Sequence, residues 1–215
     1  MNAHFVIGLD FGTNSARAII VNAATGEEIA ARVYDFPTGE KGVVLDAKNP
    51  DLARQHPRDY LNAAAETISG ALKEASYFAE FSPSAVIGIG VDTTGSTPIP
   101  VDKNGTPLAL LPEFENNPDA MAWLWEDHTG HAEAGEITAR AAGMRPHYLA
   151  KCGGAYSSEW FWSKILHCKR TAPPVFDAAH TWVEHADWMT GILTGTAHPD
   201  AIKRCICAAG HKAMF

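Results

Sequence analysis

Three features of the 215-residue chain predict an α/β fold: two β-branched runs joined by a tight polar turn, a long amphipathic helix, and a strand apolar on both faces. The paired runs are Phe5-Val6-Ile7 and Ala18-Ile19-Ile20-Val21, with Gly12-Thr13-Asn14-Ser15 between them. Small residues of this kind close a hairpin. A third strand is expected over Glu28 to Phe36, after the turn Ala24-Thr25-Gly26, so the chain opens as an antiparallel meander. Pro37 to Gln55 reads as loop, because Gly39, Gly42, Asn49 and Pro50 interrupt any period. Pro57 to Phe78 is the clearest helix: Pro57 suits its first turn, and Leu61, Ala64, Ala65, Ile68, Ala71, Leu72 and Ala75 form its apolar face. Ala85 to Val91 follows as a continuous apolar run, the pattern of a strand at the buried centre of a helix-covered sheet.

A second helical stretch is expected over about Pro118 to Gly143 and a third from near Ser157, capped by Ser157 or Ser158 and stopped by Pro173-Pro174. There is no internal repeat, no low-complexity segment and no Pro- or Ser-rich linker. Residues 1–215 are therefore read as one domain.

Seventeen basic and twenty-five acidic residues give a net charge of −8. With no basic stripe, nucleic acid is not an expected partner, and any phosphate held here is small and escorted by a cation. No run approaches the roughly eighteen apolar residues of a membrane span, and Met1-Asn2-Ala3-His4 leads straight into a strand, so neither a membrane segment nor a signal peptide is expected. Four cysteines in such a chain point to reduced thiols and a cytoplasmic setting. Cys205, Cys207 and His211 resemble a metal half-site. A zinc site needs about four ligands, and no second pair stands at usable spacing, so small buried side chains are the simpler reading.

The chemistry concentrates in five segments. In the first, Asp10 ends a strand beside the Gly12–Ser15 turn, whose hydroxyls and N–H groups can ring an anion. A carboxylate beside a phosphate cradle reads as a Mg²⁺ holder acting through metal-bound waters. The same residues also fit an ordinary hairpin. In the second, the apolar strand delivers the chain into Asp92-Thr93-Thr94-Gly95-Ser96-Thr97, at the strand end where α/β sheets bind ligands. These hydroxyls suit a polyhydroxylated substrate, or they serve only local backbone groups. In the third, Trp123-Leu124-Trp125-Glu126-Asp127-His128 sets indole faces beside acidic groups, as a sugar requires and as a packed core also allows. Tyr156-Ser157-Ser158-Glu159-Trp160 and Ala208-Ala209-Gly210-His211-Lys212 complete the set. Their residues alone assign them no role.

Together, in this order, the five segments resemble the FGGY carbohydrate kinases, and within them the L-ribulokinases. The match spans nearly the whole chain; its first motif is shared with hexokinases, actin and heat-shock chaperones. The resemblance implies a ribonuclease-H-like (actin/hexokinase-type) α/β domain with a central mixed sheet flanked by helices. It also implies ATP- and Mg²⁺-dependent phosphorylation of L-ribulose in arabinose catabolism. Asp10 matches the metal-associated position, with Gly12, Thr13, Asn14, Ser15 and Arg17 around the phosphates. Gly95 and Lys212 fall beside the ketose, with Tyr156, Trp125 and Asp127 shaping that pocket.

Family members continue beyond the position of Phe215, and their proton-accepting aspartate lies in that later part, so no catalytic base is nominated within residues 1–215. The expectation is an N-terminal sugar-kinase domain, inactive alone, lacking its second domain and inclined to self-associate into a homo-oligomer through the surface left open. A binding module without phosphoryl transfer, and a kinase for another pentulose or polyol, are the alternative readings.

Overall fold

The two β-branched runs form strands β1 (Phe5–Phe11) and β2 (Ser15–Asn22), whose residues alternate between buried and less buried and which pair antiparallel with Phe5 opposite Asn22 and Phe11 opposite Ala16. The computed structural model describes residues 3–214. Strand β3 (Glu28–Asp35) continues the meander against β2. Two short strands, β4 (Val44–Asp46) and β5 (Asn49–Gln55), follow within the segment expected to be loop. That expectation is corrected: Val44, Leu45 and Asp46 pair with β5, and backbone pairing supplies what the weak sequence pattern did not signal.

Helix α1 (Pro57–Ala75) forms with Pro57 in its first turn, as predicted, but ends before the predicted Phe78, in turns over 76–78. Its buried side is rotated from the expected one: Tyr60, Ala63, Ala64, Thr67, Ala71 and Ala75 are enclosed, while Ala65 is exposed. Tyr60 is the reason. Its ring meets Phe11 and Phe36 edge-on, at centroid distances of 6.1 and 5.7 Å, and so turns the helix onto the sheet.

Strand β6 (Val86–Thr93) pairs parallel with β1, giving the mixed order β3-β2-β1-β6. Here a second expectation is corrected. The strand predicted to be central and buried is the sheet's edge, with Ile87 62% and Ile89 46% exposed. A run apolar on both faces demands two covers, and within the described residues β6 has one strand neighbour and open faces.

The chain gathers into two compact units. The first holds the residues up to Val43 with Arg58–Thr93; the second holds Val44–Pro57 with the chain from Thr94 onward. In the second unit β7 (Pro98–Val101) precedes β8 (Ala122–Trp123), which adds to β5. Helix α2 (His131–Met144) starts only after a turn, so the single helix expected over 118–143 is corrected to a 3-10 turn, a strand and a shorter helix. Helices α3 (Pro146–Lys151), α4 (Phe161–Thr171) and α5 (Pro173–Ala178) follow. Neither Ser157 nor Ser158 caps α4; the cap is Trp160, and Ser163 Oγ donates to the carbonyls of both serines. Strand β9 (Thr181–Glu184) pairs antiparallel with β7, and helices α6 (His185–Thr194) and α7 (Ile206–His211) complete the unit. Its core is Leu108, Met121, Trp123, Phe161, Ile165 and Val175 with their neighbours. No helix of the described residues is long and apolar enough to cross a membrane.

Candidate functional site

In the first unit, Asp10 lies on the sheet face opposite Phe5, Ile7, Leu9 and Phe11, because alternate residues of a strand point to opposite sides. Register sets Arg17 beside it on β2 and Asp92 beside it on β6. The three line an open cavity of about 460 Å³ with Gly8, Gly90 and Glu28. A Cβ at Gly90 would meet nothing within 4 Å, so the space before the paired carboxylates is clear. Asp92 beside Asp10 is the partner that sequence reading did not single out. Only the parallel register of β6 makes two residues 82 positions apart neighbours, as 92 − 10 = 82.

Two adjacent carboxylates with open space before them fit a hard divalent cation. Mg²⁺ is held by one or two carboxylates, its other positions going to waters and phosphate oxygens. Groups of three or more metal-ligating side chains are absent among the described residues, as such a two-carboxylate holder allows.

The turn that follows is tightly built. The Gly12 N–H donates to Ser15 O at 2.9 Å, and the Phe36 N–H donates to Asn14 O at 2.9 Å. The Asn14 side-chain amide donates to Lys41 O at 2.7 Å. Gly12 and Asn14 therefore spend these donors on the loop's own shape, while Thr13 and Ser15 are half-buried and Arg17 is exposed on the Asp10 face.

The second unit collects the remaining predicted residues. Gly95 stands where an added Cβ would lie 3.8 Å from Lys212 Cε and 3.9 Å from Glu184 Oε2. The Tyr156 hydroxyl reaches Lys212 O at 3.4 Å and accepts from the Trp162 N–H at 3.2 Å. Gly95, Lys212 and Tyr156 are thus brought together. Burial pushes the Tyr156 phenol up, so it serves as a neutral hydroxyl. Trp125 is 36% exposed.

Asp127 is different. It is fully buried and ion-paired with Arg54, and its carboxylate accepts from the Ala53 N–H at 2.8 Å and the Thr129 hydroxyl at 2.6 Å. Its carboxylate belongs to the frame beneath the Trp125 segment. Burial draws the Arg54 guanidinium down to about 9, against the attraction of Asp119; Arg54 also stacks 3.5 Å over the Trp123 ring.

Two further buried charges were missed in the sequence. Lys164 donates from Nζ to the carbonyls of Ser96, Leu124 and Trp123 at 2.9, 2.6 and 3.4 Å. Glu184 accepts from Ser96 Oγ at 2.5 Å and from the Thr97 N–H at 2.9 Å. Burial holds the Lys164 ammonium well below its ordinary range and raises the Glu184 carboxyl, each opposed by the other's charge. No pattern in the sequence marks these two, since Lys and Glu are ordinarily surface residues. The reading of Cys205 and Cys207 as small buried side chains is corrected: both are exposed free thiols, and the side chain of His211 lies outside the described ones.

Residues 5–203 match the N-terminal domain of the FGGY family of carbohydrate kinases, and the chain belongs to that family. The ribulokinase of Vibrio parahaemolyticus is 47% identical over 218 residues, covering all of this chain and 38% of that protein. The ribulokinase of Shouchella clausii is 37% identical, covering 98% of this chain and 37% of its own length. The chain therefore spans well under half the length of these curated relatives. Among solved structures, the xylulose kinase of Bifidobacterium adolescentis matches with a TM-score of 0.70 at 17% identity, over 98% of this chain and 39% of that one. The glycerol kinase of Plasmodium falciparum matches with a TM-score of 0.68 at 14% identity, over 99% and 41%. At these identities they establish a shared sugar-kinase fold, with its mixed sheet and helices.

Proposed function

We propose that the enzyme to which this domain belongs transfers a phosphoryl group from ATP to the terminal hydroxyl of L-ribulose, serving arabinose catabolism in the cytoplasm. The observation that carries this reading is the grouping of Gly95, Lys212 and Tyr156 in a chain 47% identical to a ribulokinase throughout its length. An ammonium beside a glycine offers hydrogen bonds to sugar hydroxyls, and the glycine leaves room for the carbon chain. Trp125 adds an apolar face for the sugar's C–H surface. Asp127 supports that segment from below.

Asp10, with Asp92 beside it, would hold Mg²⁺ through waters, and Gly12, Thr13, Asn14, Ser15 and Arg17 would surround the phosphates. ATP with its metal supplies the transferable phosphoryl group and neutralises its charge. Phosphoryl transfer depends on positioning and electrostatics more than on covalent chemistry, and these residues provide both without a nucleophile of their own. We assign no catalytic base within residues 1–215, and read them as an N-terminal sugar-kinase domain that binds ligands without turnover.

The test is calorimetric titration of this chain with L-ribulose and with Mg²⁺–ATP, beside a coupled kinase assay. Saturable heat with L-ribulose, lost in Lys212→Ala, and no turnover is the expected result. Absence of pentulose binding overturns the sugar assignment. Turnover abolished by Asp10→Ala overturns the claim that a base is lacking.

A further inference from the structure

Lys164 on α4 and Glu184 at the end of β9 grip one residue, Ser96, from two sides. Lys164 takes its carbonyl and Glu184 its hydroxyl. An ammonium has three protons, and Lys164 Nζ has three backbone carbonyls within reach, those of Ser96, Trp123 and Leu124. A carboxylate only accepts, and both oxygens of Glu184 do so, from Ser96 Oγ and the Thr97 N–H. The hydrogen-bond pattern thus calls for both groups in their charged forms, although Lys164 is fully buried and Glu184 nearly so. A buried charge is kept only where it is satisfied, and here the partners are the Ser96 hydroxyl and backbone groups of two chain segments.

Those segments are the ones that carry Gly95 and Trp125. Ser96 follows Gly95 directly, and Leu124 precedes Trp125. One ammonium therefore fixes the distance between the two segments read above as the sugar pocket of this unit. Glu184 also stands against Gly95, with Oε2 3.9 Å from the position of an added Cβ.

We infer that Lys164 and Glu184 are positioning residues: a buried clamp that sets the Gly95–Thr97 loop against the Trp125 segment and thereby tunes the affinity for the pentulose. This rests on the sugar reading given under Proposed function. Neither side chain need touch the substrate, since both act through the backbone and hydroxyl of Ser96.

The experiment compares the wild-type chain with Lys164→Met, which keeps the stem and removes the charge, and with the milder Ser96→Ala, which frees only one oxygen of Glu184. Two readouts are taken below the melting temperature of each variant: amide hydrogen exchange resolved by residue, and the Kd for L-ribulose. The expected result is exchange at Ser96, Thr97 and Trp125 at least tenfold faster, with α2 and the β7–β9 pair unchanged. L-ribulose affinity should fall about tenfold in Ser96→Ala and further in Lys164→Met. Should Lys164→Met fail to fold, Ser96→Ala alone decides. Unchanged exchange at the loop, or exchange raised evenly across the unit, overturns the clamp. A loosened loop with unchanged Kd overturns its control of affinity. If the wild-type chain binds no pentulose, the sugar reading fails by itself, and the exchange pattern still decides whether the clamp exists.

Discussion

Arg54 and Asp127 form an ion pair shut off from solvent, with side chains 1% and 0% exposed, that ties strand β5 to the segment following Trp125. Neither charge is left to water. The pair joins positions 73 residues apart, and the Ala53 N–H bonds the same carboxylate.

Removing Asp127 leaves Arg54 charged and buried, with the half-exposed Asp119 at 3.5 Å as its remaining ion-pair partner. Asp127→Ala is expected to destabilise the second unit by about 3–5 kcal/mol, read as a lower denaturant midpoint. The double variant Arg54→Met/Asp127→Leu should recover a large share of that loss, because a buried ion pair is weakly favourable beside an apolar pair of similar volume. Additive losses in the double variant would show that the pair is not the coupled unit described here.

Gly42 has φ +89°, and a Cβ there would lie 2.6 Å from Phe36 Cβ. Gly42→Ala combines a left-handed backbone with a clash against a buried ring. The expected cost is about 2 kcal/mol or more, seen by thermal or chemical unfolding. Gly26, also at positive φ but with nothing within 4 Å, should lose only about 1 kcal/mol on the same change. Equal losses at the two sites would remove the role given to Phe36.

At Gly95 the neighbouring atoms stand at ordinary contact distance, so alanine fits. Gly95→Ala should fold with an unchanged melting temperature and bind L-ribulose within a few-fold of wild type. Gly95→Leu should fill the space before Lys212 and weaken binding by about tenfold or more. A leucine variant that is folded and binds normally would place the sugar elsewhere.

His185 is completely buried, and burial draws its imidazole down to about 3. In the unfolded chain the same group titrates near 6.5. Between those values the unfolded state binds the extra proton, so stability falls as pH drops from about 6.5 toward 3, by about 1.4 kcal/mol per pH unit for this group. Glu184 and Asp187, whose carboxyls burial raises, act with the opposite sign, since their folded forms take up protons first. The informative quantity is therefore the difference from His185→Gln, followed by urea unfolding at pH 7, 5.5 and 4.5. Wild type should lose its advantage over the variant as the pH falls. A constant difference would mean that His185 does not titrate on unfolding.

What was legible in the sequence was local. The β1–β2 hairpin, the third strand and α1 declared themselves because β-branched runs flanking short polar turns, and a period of 3.6 residues, are written into neighbouring positions. The short strands β4, β5, β7, β8 and β9 went unseen, because pairing with one another sets them and their own patterns do not. Val86–Thr93 was recognised as a strand, but its apolar faces promised a central place that it does not have in this chain. Apolar character says that a surface needs covering; it does not say where the cover comes from.

The candidate site divides in the same way. The Asp10 hairpin, the Gly95 loop and the membership of a sugar-kinase family follow from residues close together in the sequence, because ligand loops are short and rich in Gly, Ser and Thr. Asp92 beside Asp10, Arg54 against Asp127, and Lys164 and Glu184 around Ser96 come from the tertiary structure alone. These contacts join residues 82, 73, 68 and 88 positions apart, far beyond the reach of any periodicity. A charged side chain in a sequence reads as a surface group. Only the packed fold shows that its water has been replaced by the carbonyls, hydroxyls and opposite charges of distant segments.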